Sequence, residues 1–188
     1  MNPSPSLRNL RRRTLLKRAT ATALALPGAA YVPPALAALP NARTISLRHT
    51  HTGESLSLVY ALGSDYVQAS LARANQFLRD HYSGAIGTID PALFEQLFAL
   101  TRALGRDGAF EVVSGFRSAQ TNEALRRRGG GGVASQSLHL LGRAIDVRLP
   151  GVPLSDLRTA ALDARAGGVG YYPGSNFVHL DTGRFRHW

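Results

Sequence analysis

Apolar residues in this chain recur with two different periods, and the order in which those periods alternate constrains the fold most. In "TISLRHTHTGESLSLVY" they take every second position, Ile45 and Leu47, then Leu56, Leu58 and Tyr60, on either side of Thr52-Gly53-Glu54. That pattern predicts a β-hairpin. "AFEVVSGF" and "RAIDVRL" read as further strands, and "GVGYYPGSNFVHLDTG" as two strands joined through Pro173-Gly174. Elsewhere the spacing becomes helical. "SDYVQASLARANQFLRDHY" opens on Ser64 as a cap and carries Val67, Leu71, Ala74 and Leu78. "DPALFEQLFALTRALG" has Asp90 as cap, Pro91 in the first turn, a Leu93, Leu97, Leu100, Leu104 stripe and Gly105 as its stop. "RSAQTNEALRRR" is a short helix, and "LSDLRTAALDARA" a helix capped by Ser155. Gly129 to Gly132 form a flexible loop without phosphate-loop spacing. Strands and helices mix without regular strand–helix–strand alternation, so the class is α+β. The expected architecture is a small antiparallel sheet, helices on one side and a groove on the other.

Residues 1–37 stand apart. They hold six basic residues, Arg8, Arg11, Arg12, Arg13, Lys17 and Arg18, and no acid. A basic start, a modest apolar stretch and small residues ending in Ala35-Leu36-Ala37 predict an export signal. "RRTLLK" has the twin-arginine form. The stretch from Ala19 to Leu26 falls short of the ~20 apolar residues a membrane span needs, so no stable membrane anchor is expected after cleavage. Residues 38–43 read as a linker and residues 44–188 as one domain. Export implies the periplasm or cell envelope.

Without the signal, 16 basic residues face 12 acidic ones, a formal +4. The arginines are scattered, unlike the dense basic face of a nucleic-acid binder. The chain contains no cysteine. An exported domain of this length must then hold together through its core alone, and His, Asp or Glu must hold any metal.

One strand combines both needs. In "RAIDVRL", Ile145, Val147 and Leu149 share one face, while Ala144, Asp146 and Arg148 share the other. His139 precedes this strand in "SLHLLG" and can fold back through a turn at Gly142. In "NFVHLDTG", Val178 and Leu180 point one way and Phe177, His179 and Asp181 the other. Paired with polar faces aligned, the two strands bring His139, Asp146 and His179 together. Two imidazoles and a carboxylate make a three-ligand site with a position open for water. A locally hydrogen-bonded histidine is the other reading of His139.

"SGFRSAQTN", "SLHLLGRAIDV" and "NFVHLDTGRFRHW", in that order, resemble the exported murein endopeptidases of the YcbK type, as does "HTHTGESL". These belong to the zinc peptidases that include lysostaphin-type enzymes, D-Ala-D-Ala peptidases and the hedgehog signalling domain. The resemblance implies that fold, Zn2+ held by His139, Asp146 and His179, and Arg117 binding substrate or transition state. It implies peptidoglycan stem peptides as the substrate, with zinc-activated water as nucleophile. Related D-Ala-D-Ala peptidases carry an acidic general base three positions before the last histidine, where this chain has Asn176. Asp181, two residues past His179 and on the same face, is the expected substitute. Ser137 is expected to orient His139, and Gln120 to line the cleft. Two alternatives stay open: a carboxypeptidase trimming stem peptides, and a metal-containing peptidoglycan-binding module without turnover. His49 and His51, flanking the hairpin turn, and His81, at a helix end, read as structural.

Overall fold

Residues 29–30, 39–128 and 133–188 are described by a computed structural model. The segment expected to be an export signal lies outside them except for Ala29–Ala30, and the expected Gly129 to Gly132 loop lies outside them entirely. The strands are β1 (Ala29–Ala30), β2 (Ala42–His49), β3 (Ser55–Leu62), β4 (Asp65–Tyr66) and β5 (Phe110–Ser114). They continue with β6 (Ala144–Arg148), β7 (Gly168–Tyr172), β8 (Phe177–Asp181) and β9 (Arg186–His187). The helices are α1 (Gln68–Phe77), α2 (Ala92–Leu104), α3 (Ala119–Arg128) and α4 (Leu154–Ala164). No helix among the described residues is long and apolar enough to cross a membrane.

The class is α+β, as the periods predict, but the sheet is larger than expected. Among the described residues its nine strands run β1-β3-β2-β5-β6-β8-β7-β9, with β4 on β3. Most neighbours are antiparallel. Three pairs, β1/β3, β2/β5 and β7/β9, are parallel. β5 reaches β2 only after the chain has passed through α1 and α2, and such a long crossover permits parallel entry.

The apolar faces of the strands make the core. Ile45, Leu47, Leu58, Phe110, Val112, Ile145, Val147, Val178 and Leu180 are all buried. Leu93, Phe94, Leu97 and Leu100 of α2, Leu157 and Ala161 of α4, and Ala74 and Phe77 of α1 pack on them. Gln96 of α2 donates to the backbone carbonyls of Asp181 (3.0 Å) and Ala166 (3.2 Å), tying that layer to β8. α3 differs: its buried residues are the polar Thr121 and Asn122. Its Thr121 and Leu125 line a recess together with Arg117.

Two expected caps are corrected. Tyr66 pairs with Ala61 and Asp65 with Leu62, so Ser64 sits in a tight turn with Gly63 (φ +57°) and α1 starts four residues later, at Gln68. Strand pairing has overridden the local cap signal. Ser155 lies inside α4, whose extended flanking residue is Pro153, and its hydroxyl bonds the Asp156 carboxylate at 3.0 Å. Asp90 does accept the Ala92 N–H at 3.0 Å, and Gly105 (φ +58°) ends α2. β2 begins at Ala42, inside the expected linker.

His139 lies in a 3-10 turn, Leu138–Leu141, just before β6. Gly142 closes it in the left-handed region (φ +64°). Its carbonyl accepts the Asp90 N–H at 2.9 Å. A Cβ at Gly142 would collide with the Thr88 carbonyl. Gly142→Ala should therefore cost roughly 2 kcal/mol or more and displace His139. Thermal unfolding and metal uptake should both weaken, and an unchanged midpoint would contradict this account of the turn.

Candidate metal centre

β6 and β8 are antiparallel neighbours, and Asp146 stands directly opposite His179 in their register. Opposed residues project from the same face of a sheet. His139 enters from the turn that leads into β6. His139 Nε2 lies 3.3 Å from Asp146 Oδ1 and 3.2 Å from His179 Nδ1. His179 Nδ1 lies 2.8 Å from Asp146 Oδ1. All three residues are buried, and they are the group of donors among the described residues that could hold a metal ion.

The outer atoms of the two imidazoles fix their tautomers. His139 Nδ1–H donates to the Gly115 carbonyl at 2.7 Å, which leaves the Nε2 lone pair facing inward. His179 Nε2–H donates to Asp181 Oδ2 at 3.2 Å, which leaves the Nδ1 lone pair facing inward. With both imidazoles neutral, two lone pairs and a carboxylate converge, an arrangement that a proton on His179 Nδ1 or a metal ion relieves. Tetrahedral donors at ~2.1 Å from an ion stand roughly 3.4 Å apart, close to the two separations from His139 and somewhat wider than that between His179 and Asp146. The donor set therefore fits a divalent ion.

The charges respond accordingly. Burial opposes charge on His179, but its bonds to Asp146 and Asp181 prevail and push the imidazole up to about 9. Burial would raise the Asp146 carboxyl, yet the two histidines hold it well below the usual carboxylate range.

Asp181 has a different place from the one expected. It is fully buried. Its carboxylate accepts from Arg186 Nη1 and Nη2 (3.0 and 2.7 Å), the Gly168 and Gly183 N–H groups (3.0 and 2.8 Å) and His179 Nε2. It stands behind His179, on the side away from the convergent atoms, so the expectation of a base at the metal-bound water is corrected. Alternation placed it on the right face but could not tell which ring nitrogen it would meet. Its geometry is that of the carboxylate that orients a metal-binding histidine.

Asn176 is exposed and left-handed (φ +54°), ending the short turn between β7 and β8. Asn tolerates that conformation well, so a backbone demand accounts for this residue. Arg117 lies beside the centre, with Nη2 3.8 Å from Asp146 Oδ2, and its other contacts are Ser114 Oγ (3.3 Å) and Asn122 Oδ1 (3.4 Å). Ser137 lines the cleft, but the bond orienting His139 comes from Gly115 instead. Gln120 is exposed and lines a neighbouring depression with Tyr82 and Arg128, not the cleft over the donors. His51 and His81 stack at 4.2 Å, with His49 against both.

The donors floor a cleft of about 250 Å³ whose walls include Arg117, Ser137, Tyr172, Phe177 and Trp188. A second recess of about 170 Å³, reaching His51, His81, Tyr82 and Thr121, shares Arg117, Asp146 and Phe177 with it. Of the three donors, Asp146 lines both recesses, while His139 and His179 line the first. Gly115, Arg186 and Trp188 were missed as site residues. Their signal was confined to the motifs "SGFR" and "GRFRHW", where a backbone carbonyl and an ion pair five residues apart leave no periodicity.

A family model described as "Peptidoglycan L,D-endopeptidase MepK" matches residues 37–188. The chain belongs to this peptidase family. It is 49% identical over 164 residues to the peptidoglycan L,D-endopeptidase MepK of Escherichia coli (strain K12), covering 86% of this chain and 90% of that protein. The relative from Shigella flexneri matches to the same extent. A probable peptidoglycan L,D-endopeptidase MepK of Haemophilus influenzae is 42% identical over 155 residues, covering 82% of this chain and 83% of its own.

If Asp181 acts by orienting His179, Asp181→Asn should lower ion affinity by roughly 10–100-fold. A competition titration against a chromogenic chelator measures this. Affinity equal to wild type would remove Asp181 from the support of the centre.

Proposed function

We propose that this protein is an exported zinc peptidase that hydrolyses peptide crosslinks of bacterial peptidoglycan, with His139 Nε2, Asp146 Oδ1 and His179 Nδ1 as ligands. One observation carries the reading: two imidazoles with preset tautomers and one carboxylate converge within 2.8–3.3 Å at the floor of an open cleft. Two imidazoles and a carboxylate, rather than thiolates, suit zinc in its catalytic form. The chemistry a bound Zn2+ supplies is Lewis acidity, which acidifies water and polarises a carbonyl.

The chain's own groups supply the rest. Gly115 and Asp181 hold the imidazoles in register. Arg117 places positive charge on the wall of the cleft, toward the oxygen of the scissile carbonyl or a carboxylate of the stem peptide. The cleft beside the donors and the recess that shares Arg117, Asp146 and Phe177 with it give room for a peptide, and the relatives' names favour an endopeptidase over a trimming carboxypeptidase. The relatives' names favour the L,D class of crosslink. A twin-arginine signal would deliver the enzyme to the envelope, where that polymer lies.

The deciding experiment is a digest of crosslinked muropeptide dimers, containing both D,D and L,D linkages, with zinc-loaded protein. Conversion of the L,D-linked dimers to monomers is expected, with activity lost on chelation and restored by Zn2+. His139→Ala should abolish turnover and reduce bound zinc. Dimers that persist uncut, or that lose only a terminal residue, overturn the proposal.

A further inference from the structure

We propose that Tyr172 is a catalytic hydrogen-bond donor, its phenolic O–H binding the scissile carbonyl oxygen as negative charge develops there. This rests on the peptidase reading above, and it concerns a residue to which nothing so far has given a role.

The register of β7 and β8 sets its position. Gly170 opposes His179, and Tyr172 opposes Phe177. With a period of two, Gly168, Gly170 and Tyr172 project from the face that carries His179. The Tyr172 side chain accordingly walls the same cleft as the three metal donors.

The hydrogen bonding of the phenol is one-sided. Trp188 Nε1–H donates to Tyr172 Oη at 2.7 Å. Indole can only donate, so this bond uses acceptor capacity of the phenol and leaves its own proton uncommitted. Among the described residues no group accepts that proton. The residue borders the cleft, where solvent or a bound peptide can accept that proton.

The ring is also held still. Tyr172 stacks on Phe177 at 4.7 Å and 21°. Trp188 packs against the His179 ring at 5.3 Å, and the Arg186 guanidinium lies 5.0 Å from the Trp188 ring. Gly170 makes the room: a Cβ there would stand 2.8 Å from the indole and 2.9 Å from the Tyr172 ring. Thus the ion pair that orients His179 through Asp181 also supports, through Arg186 and Trp188, the phenol beside it. Arg117, another donor on these walls, already spends N–H groups on Ser114 and Asn122. An oxyanion gains most from a donor whose position is fixed before charge appears. The O–H bond of Tyr172 stays intact throughout, so no proton or electron needs to be balanced.

The test uses zinc-loaded full chain, the crosslinked muropeptide dimer, and a phosphinate pseudopeptide that mimics the tetrahedral anion. Tyr172→Phe should lower kcat by roughly 100-fold while KM and bound-zinc stoichiometry stay at wild-type values. Its affinity for the phosphinate should fall by a similar factor, and its affinity for the cleaved product should not. Trp188→Phe, which keeps a ring but removes the N–H, should lower kcat by roughly tenfold with zinc retained. A Tyr172→Phe kcat within twofold of wild type overturns the proposal. So does a loss confined to KM or to zinc content, or undiminished phosphinate binding. If wild-type protein leaves the dimer uncut, the peptidase reading itself fails, and the control lane reports that separately.

Discussion

The pairing of Asp146 with His179 across β6 and β8 is the contact on which the rest of the centre depends. A one-residue slip of that register would send Asp146 into the apolar interior and Ile145 into the groove. The apolar partners on the opposite face, Ile145 with Leu180 and Val147 with Val178, hold the register by burial. Core formation and site formation are therefore one event: the strands cannot bury one face without presenting the other. The polar face is costly on its own terms. A buried carboxylate and two buried imidazoles give up hydration worth several kcal/mol per charge, and in the neutral rings the lone pairs face the carboxylate. A cation resolves that conflict, so ion binding and local stability are linked.

Around this pair the structure adds rigidity in a definite order. Gly115 and Asp181 decide which nitrogen of each imidazole looks inward. Arg186, Gly168 and Gly183 decide where Asp181 sits. A Cβ at Gly168 would run into both the Asp181 carboxylate and Arg186, so the glycine is a spatial requirement. Gln96 reaches from α2 to the Asp181 carbonyl. A side chain in the helical layer thus bears on the strand end that supports the centre. Such support matters because metal donors must be held within a few tenths of an ångström to keep one coordination position open.

Much of this was legible in the order of residues. Alternation in "RAIDVRL" and "NFVHLD" placed Asp146, His179 and Asp181 on one face, and Gly142 allowed His139 to return. Alternation does not report which atom of a ring faces a neighbour. For that reason Asp181 read as a base when it stands behind His179. Local signals also lost to pairing: Ser64 looked like a cap, but β4 claimed the next residues. Ser137 precedes His139 by two positions, yet the orienting acceptor is a backbone carbonyl twenty-four residues away, and backbone atoms have no signature in composition. β9 contains two residues, too few for any period. The wall that Trp188 and Arg186 build was invisible until β9 was seen on β7.

The absence of an acid at position 176 acquires a meaning from these placements. Asn176 serves the backbone of the turn between β7 and β8. Asp181 is fully engaged. Among the described residues, Asp146 is the carboxylate that lines the cleft with the donors. Of the other polar side chains there, Arg117, Trp188 and Arg186 only donate, and Gln136, Ser137 and Tyr172 can also donate. A cavity whose side chains donate and whose floor holds a cation is built to meet negative charge. Stem peptides bring carboxylates, and the hydrolysis of an amide generates an oxyanion. The same donor-rich wall suits both, so binding and transition-state stabilisation draw on one set of side chains. Asp146 is tied to both histidines, so the proton given up by the attacking water has no free carboxylate at hand. The Asp181 carboxylate stands on the far side of His179, where it accepts from Nε2 rather than facing the cleft.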